Sequence, residues 1–248
     1  KMDESIQIAI ATNGNVYLPQ RRGNILLYDS AAKTSRSIRT IPVPSAYEDG
    51  LLGMALDPKF NENTFIYVFF AEPAPKDSVS NYHISRFTLN GNGDLDLSSQ
   101  KVLIKIPHQS ADGIHTGGGM LFDPRGNGNL FITIGDNTSP RATLYAPIDE
   151  RPGREIFDAQ RTASNSNDLR GKILRIHPEP DGTYTIPDGN LFPKGTAKTR
   201  PEIYSMGHRQ PWRLSLDTKT GWLYEGEVGP DASFDSAGRG PMAYDELN

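Results

Sequence analysis

The 248-residue sequence contains no cysteine, which excludes a disulfide framework and any thiolate-held metal centre. It also lacks any apolar run near the roughly 18 residues that a membrane-spanning helix requires. The longest, Phe65 to Ala71, reads as a buried strand. No segment repeats apolar residues convincingly at the helical period. No basic stripe is visible, and 26 Lys and Arg against 30 Asp and Glu leave a net charge of −4. Nucleic acid is therefore not an expected partner, because phosphate neutralisation needs clustered cations. The opening Lys1-Met2-Asp3-Glu4 carries no apolar leader core, and a processed or truncated product is expected.

Glycine and proline are plentiful, at 24 and 19 residues, alongside 36% hydrophobic residues. That combination describes many short elements joined by turns, with enough apolar surface for a core. One unit recurs four times: an apolar strand, a polar turn, then an aromatic-rich strand. Its copies are Ile6 to Thr12 with Val16 to Pro19, Leu52 to Leu56 with Phe65 to Phe70, Met120 to Phe122 with Leu130 to Ile134, and Leu214 to Leu216 with Trp222 to Tyr224. The last three turn at Asp57, Asp123 and Asp217. Further strands are expected at His83 to Leu89, Lys101 to Ile106, Lys172 to Ile176 and Ile203 to Met206, with an Asn- and Pro-rich insertion over 138–168. The pattern predicts an all-β chain, a β-propeller of about four blades forming one domain over 1–248; a β-sandwich is the alternative.

Gly113-Ile114-His115-Thr116-Gly117-Gly118-Gly119 places a histidine beside three glycines. Side chains there do not obstruct the approach of a flat ligand, and a histidine can exchange a proton near neutral pH. A histidine capping a Gly-rich turn is the plainer reading. Asp136 follows an apolar strand directly, as turn aspartates often do. In Gly207-His208-Arg209-Gln210-Pro211 a guanidinium and an amide precede a proline, where the chain is extended. His83, His108 and His177 read as structural.

Taken together, these segments resemble the soluble PQQ-dependent sugar dehydrogenases (glucose/sorbosone and aldose sugar dehydrogenases). The resemblance rests on Glu48-Asp49-Gly50-Leu51-Leu52-Gly53, His115 with its glycines, Ile134-Gly135-Asp136-Asn137 and Leu169-Arg170-Gly171-Lys172. It continues through Arg200-Pro201-Glu202, Gly207 to Pro211, and Gly240-Pro241 with Asp245-Glu246-Leu247-Asn248. It is closest to the branch found in large multidomain bacterial enzymes, often fused to cytochrome c. It implies a six-bladed propeller, incomplete here at the C-terminus, that oxidises the anomeric hydroxyl of aldoses with PQQ and Ca²⁺. His115 would be the general base and Arg209 would polarise the quinone oxygen. Glu48, Asp136, Gln210 and Arg239 would also contact or orient the cofactor.

The carbonyls of Gly240 and Pro241 would hold the activating calcium, and Glu246 a nearby structural one. Of the two Gly-Pro pairs, 229–230 and 240–241, the second is preferred because Asp245-Glu246 follows it. Gln210 stands where the family commonly has Asn, and Glu48 where glucose dehydrogenases have Gln. The resemblance further implies a sugar substrate, cytochrome c or another electron acceptor, and a periplasmic or extracellular location. The same fold serves hedgehog-interacting relatives, so a cofactor-free binding or assembly module is the alternative.

Overall fold

A computed structural model describes residues 3–75, 79–141, 148–237 and 241–248. Nearly all regular structure is antiparallel strand, arranged in four sheets. The first holds β1 (Ala9–Ile10), β2 (Val16–Pro19), β3 (Asn24–Asp29) and β4 (Thr34–Thr40); the second holds β5 (Leu51–Leu56), β6 (Phe65–Ala71), β7 (Val79–Leu89) and β8 (Leu95–Gln109). The third contains β9 (Gly117–Phe122), β10 (Leu130–Ile134), β11 (Lys172–Pro178), β12 (Tyr184–Thr185) and β13 (Ile203–Met206). The fourth has β14 (Pro211–Leu216), β15 (Leu223–Glu227) and β16 (Glu246–Leu247). Strands adjacent in sequence pair in space, so each sheet is chiefly a meander, the construction of a propeller blade. The fold is that of a β-propeller, and the described residues supply four such blades, one for each repeat unit.

The chain forms two compact units. One comprises residues 1–111 with 178–184, the other 112–177 with 185–248. In the first, Tyr17, Ile25, Ile38, Met54, Ile66, Val68 and Phe87 form one buried cluster from the first two sheets. These residues come from strands that alternate apolar with polar positions, or that are apolar throughout where both faces are covered. In the second unit Phe131, Ile173 and Leu216 form a buried cluster, and the Tyr204 ring meets Phe131 edge-on at 5.2 Å.

The turn aspartates share one local task. The carboxylates of Asp57, Asp123 and Asp217 accept the backbone N–H two residues on, from Lys59, Arg125 and Lys219. Such Asx-turns close a hairpin without help from a distant partner.

Two strands and one helical turn illustrate where the structure departs from the sequence expectation. β7 and β8 run beyond 83–89 and 101–106: Val79 to Tyr82 pair with Ile106 to Gln109 at one end, and at the other the Asn90–Asp94 turn starts β8 at Leu95, through polar residues that show no apolar alternation. A single helical turn, α1 (Phe60–Asn63), sits between β5 and β6. It is too short to register as a period.

Candidate active site

The second unit contains a cavity of about 240 Å³, and His115, Asp136, Ser139, His208, Arg209 and Glu227 are among the residues that line it. On another side it is bounded by Gly229, Pro230, Asp231, Tyr244 and Glu246.

His115 enters this wall from the segment before β9, in the left-handed region at φ 50°. That conformation costs a non-glycine residue about 1–3 kcal/mol, and main-chain contacts hold it there. The His115 carbonyl accepts the Asn137 N–H at 3.3 Å. Gly135 passes so close that a Cβ on it would lie 1.8 Å from the same carbonyl oxygen and 2.6 Å from Gln210 Oε1. Glycine is thus required opposite the histidine.

Asp136, at the end of β10, receives His115 Nδ1 at 2.7 Å, and the Thr138 N–H donates to the same oxygen at 2.8 Å. Both side chains are buried. A carboxylate on Nδ1 fixes the tautomer that leaves Nε2 with its lone pair, the state a general base needs.

Arg209 and Gln210 lie in the link between β13 and β14. The Arg209 carbonyl accepts the Asp136 N–H at 2.8 Å, which joins this link directly to the end of β10. The guanidinium donates to the Val228 carbonyl at 2.9 Å, and the Arg209 N–H donates to Glu227 Oε1. Gln210 is buried, and its Oε1 accepts the Gly117 N–H at 2.9 Å, tying the glycine run in place.

His208 is held between two carboxylates, with Nδ1 at 2.9 Å from both Glu225 Oε1 and Glu227 Oε2. Burial opposes its charge, but the two carboxylates outweigh burial and push the imidazole up to about 9. Burial likewise works against the Glu227 anion, yet the bonds from His208 and the Arg209 N–H bring its carboxyl below the ordinary range. Glu225 and Glu227 alternate along β15, so both face one side of the strand.

The residues singled out from sequence are distributed unevenly. His115, Asp136, Arg209 and Glu246 all line the cavity, and Gln210 supports its wall. Glu48 belongs to the first unit, half-buried in the turn before β5. Arg239 and Gly240 lie outside the described residues, and Pro241 is exposed and not among the cavity's lining residues. The Gly-Pro pair that does line it is Gly229-Pro230, against which the Tyr244 carbonyl packs. The signal favouring that pair was the alternation Glu225-Gly226-Glu227, a strand that leads straight into it.

Fold and site together define a propeller protein whose cavity joins a carboxylate-oriented histidine to an arginine. Comparison with known proteins gives the family. The chain belongs to the Glucose / Sorbosone dehydrogenase family, whose sequence pattern matches residues 2–248. It is 29% identical to aldose sugar dehydrogenase YliI of Escherichia coli over 238 residues, covering 93% of this chain and 55% of that protein. It is also 29% identical to quinoprotein glucose dehydrogenase B of Acinetobacter calcoaceticus, covering 80% of this chain and 41% of the relative. The chain thus spans about half the length of these curated relatives. The PQQ-bound aldose sugar dehydrogenase of Streptomyces coelicolor shares the fold, with a TM-score of 0.70 and 24% identity over 100% of this chain and 60% of that one. Among the described residues no helix is long and apolar enough to cross a membrane.

Proposed function

We propose that this chain supplies the proton-handling part of a PQQ- and calcium-dependent oxidation of the anomeric hydroxyl of aldose sugars to lactones. The observation that carries this reading is the His115–Asp136 pair, 2.7 Å apart, in one cavity with Arg209. His115 Nε2 takes the hydroxyl proton, and Asp136 keeps the ring in the required tautomer and stabilises the imidazolium that results. The Arg209 guanidinium, fixed on the Val228 carbonyl, places positive charge where electron density accumulates. When bound, PQQ with its calcium would accept the hydride that leaves the anomeric carbon.

The donor set fits the cation. Asp231 and Glu246 bring exposed carboxylates to the wall beside the main chain of Gly229 and Pro230, and hard oxygens of this kind suit Ca²⁺. We assign the calcium role to Gly229-Pro230 with Glu246, in place of Gly240-Pro241. The fit to the quinone is partial. Arg209 and His208 are the cationic groups of the wall, against the carboxylates of Asp136, Glu227, Asp231 and Glu246. This wall suits the carbonyl edge of a planar quinone, while its carboxylates need cations from elsewhere.

A second reading, a cofactor-free propeller that binds a partner, is favoured by the cavity's size. Its 240 Å³ falls short of the roughly 300–1,000 Å³ usual for ligand pockets. Titration of the chain with PQQ in the presence of Ca²⁺, followed by absorbance and by dye reduction with aldoses, separates the two. The proposal expects quinone binding that Arg209→Ala weakens. It also expects His115→Ala to keep binding while losing turnover by roughly 10²–10⁴-fold. Failure of the wild-type chain to bind quinone at saturating Ca²⁺ would sink it and leave the binding module.

A further inference from the structure

We infer that His208, Glu225 and Glu227 form a three-ligand site for a divalent cation of the zinc type, separate from any calcium. One ligand atom from each residue lies within 4.8 Å of the other two. The inference does not depend on the sugar-oxidation reading.

The first argument is the arrangement around the ring. Nδ1 faces Glu225 Oε1 and Glu227 Oε2 at 2.9 Å each, but one ring nitrogen carries at most one proton to share. Nε2 is engaged by Ser205 Oγ at 2.6 Å. A histidine that ligates a metal through one nitrogen characteristically bonds an oxygen through the other, which sets its orientation and basicity. The carboxylates are supported in the same way. Glu227 Oε1 accepts the Arg209 N–H, and Glu225 Oε1 accepts from Asn248 Nδ2 at 3.2 Å.

The second argument is independent and concerns the fourth carboxylate oxygen. Glu225 is 3% exposed, and its Oε2 is buried without a hydrogen bond. A buried carboxylate oxygen with no partner is costly and calls for a missing group. A cation held by this carboxylate would engage it.

Charge agrees. Two carboxylates converge on one imidazole, an excess of acidic ligands that suits a divalent ion, whose binding requires the imidazole nitrogen free of its proton. One imidazole and two carboxylates match zinc, which takes three protein ligands and keeps an open fourth position. Calcium requires six to eight oxygens. His208 and Glu227 both line the cavity, so a water or other fourth ligand can enter from there.

The test is calorimetric titration of the chelator-stripped chain with Zn²⁺, repeated on Glu225→Gln and His208→Gln. One equivalent is expected per wild-type chain, undisturbed by millimolar Ca²⁺. Each variant should weaken binding by more than the roughly 10–100-fold that loss of an outer-shell partner costs. Zinc should raise the melting temperature of the wild type alone. Glu225→Gln is nearly isosteric, which guards against a folding defect in the histidine variant. The inference is overturned if the wild type takes up no stoichiometric zinc, if both variants bind as it does, or if calcium displaces the ion.

Discussion

Acid should weaken this protein through one turn in particular. The Asp123 carboxylate, at the turn between β9 and β10, accepts the Arg125 N–H at 3.0 Å, Arg125 Nε at 2.9 Å, Arg125 Nη2 at 2.6 Å and Asn127 Nδ2 at 2.6 Å. The Arg125 side chain does most to favour the anion, burial opposes it, and the carboxyl is held at about 2 against an ordinary 3.8. A tenfold change in proton affinity corresponds to about 1.4 kcal/mol, so the folded state gains about 2 kcal/mol from this group at neutral pH. Because the folded value is depressed, the gain is complete above about pH 4 and disappears as pH falls to about 2. Asp123→Asn should therefore be about 2 kcal/mol less stable than the wild type at pH 7, with the gap closing by pH 2.5. Urea unfolding followed by tryptophan fluorescence measures this directly, since Trp212 and Trp222 lie in the same unit as Asp123. A gap that is absent at pH 7, or constant down to pH 2.5, would refute the assignment of stability to this carboxylate.

Two more outcomes follow from close contacts. Gly135→Ala places a methyl 1.8 Å from the His115 carbonyl oxygen, so either the β10 end or the histidine must shift. A fall in melting temperature together with loss of quinone binding is expected, and an unchanged melt would contradict the contact. Lys172 is buried with its ammonium donating to the carbonyls of Thr162, Ala163 and Arg170 at 2.8 Å each. Burial lowers it to about 8 from 10.5. The unfolded chain holds that proton more tightly, so this group makes stability rise between pH 8 and pH 10.5. Lys172→Met should remove the rise and cost at least about 2 kcal/mol through its unsatisfied carbonyls, as read from urea midpoints at pH 7 and pH 9.5.

The blades were legible because each contains its own local instructions. Asp57, Asp123 and Asp217 each organise a turn with a backbone N–H two residues away, and apolar strands flank them. His115, Asp136 and Arg209 were legible as candidates for the same reason, each beside glycine or proline in a short motif. Their convergence was not. His115 and Asp136 are 21 positions apart, and the Asp136–Arg209 main-chain bond spans the whole insertion. No periodicity encodes such contacts. Of the two Gly-Pro pairs, Gly240-Pro241 is marked in sequence by the acidic residues that follow it and lies partly outside the described residues, whereas Gly229-Pro230 is marked by the strand that precedes it. β15 ends at Glu227, and this fixes Gly229-Pro230 at the wall. His208 reads as a neighbour of Arg209 until Glu225 and Glu227 are seen to share one face of that strand.

The main chain, more than the side chains, determines how the three groups meet. The His115 carbonyl receives Asn137, the Arg209 carbonyl receives Asp136, and the Gly135 carbonyl receives the Gly171 N–H at 2.9 Å. Gly135 is the point where these strands can come within van der Waals reach, and the left-handed turn at His115 is what such closeness demands of the opposing chain. The strain at the histidine and the missing Cβ at the glycine are therefore two consequences of one contact. Relieving either would increase the distance between the imidazole and its carboxylate. Under the proposed function, a base whose tautomer depends on a 2.7 Å bond loses its orientation before the fold loses its stability, so turnover should be the more sensitive reporter of changes around Gly135.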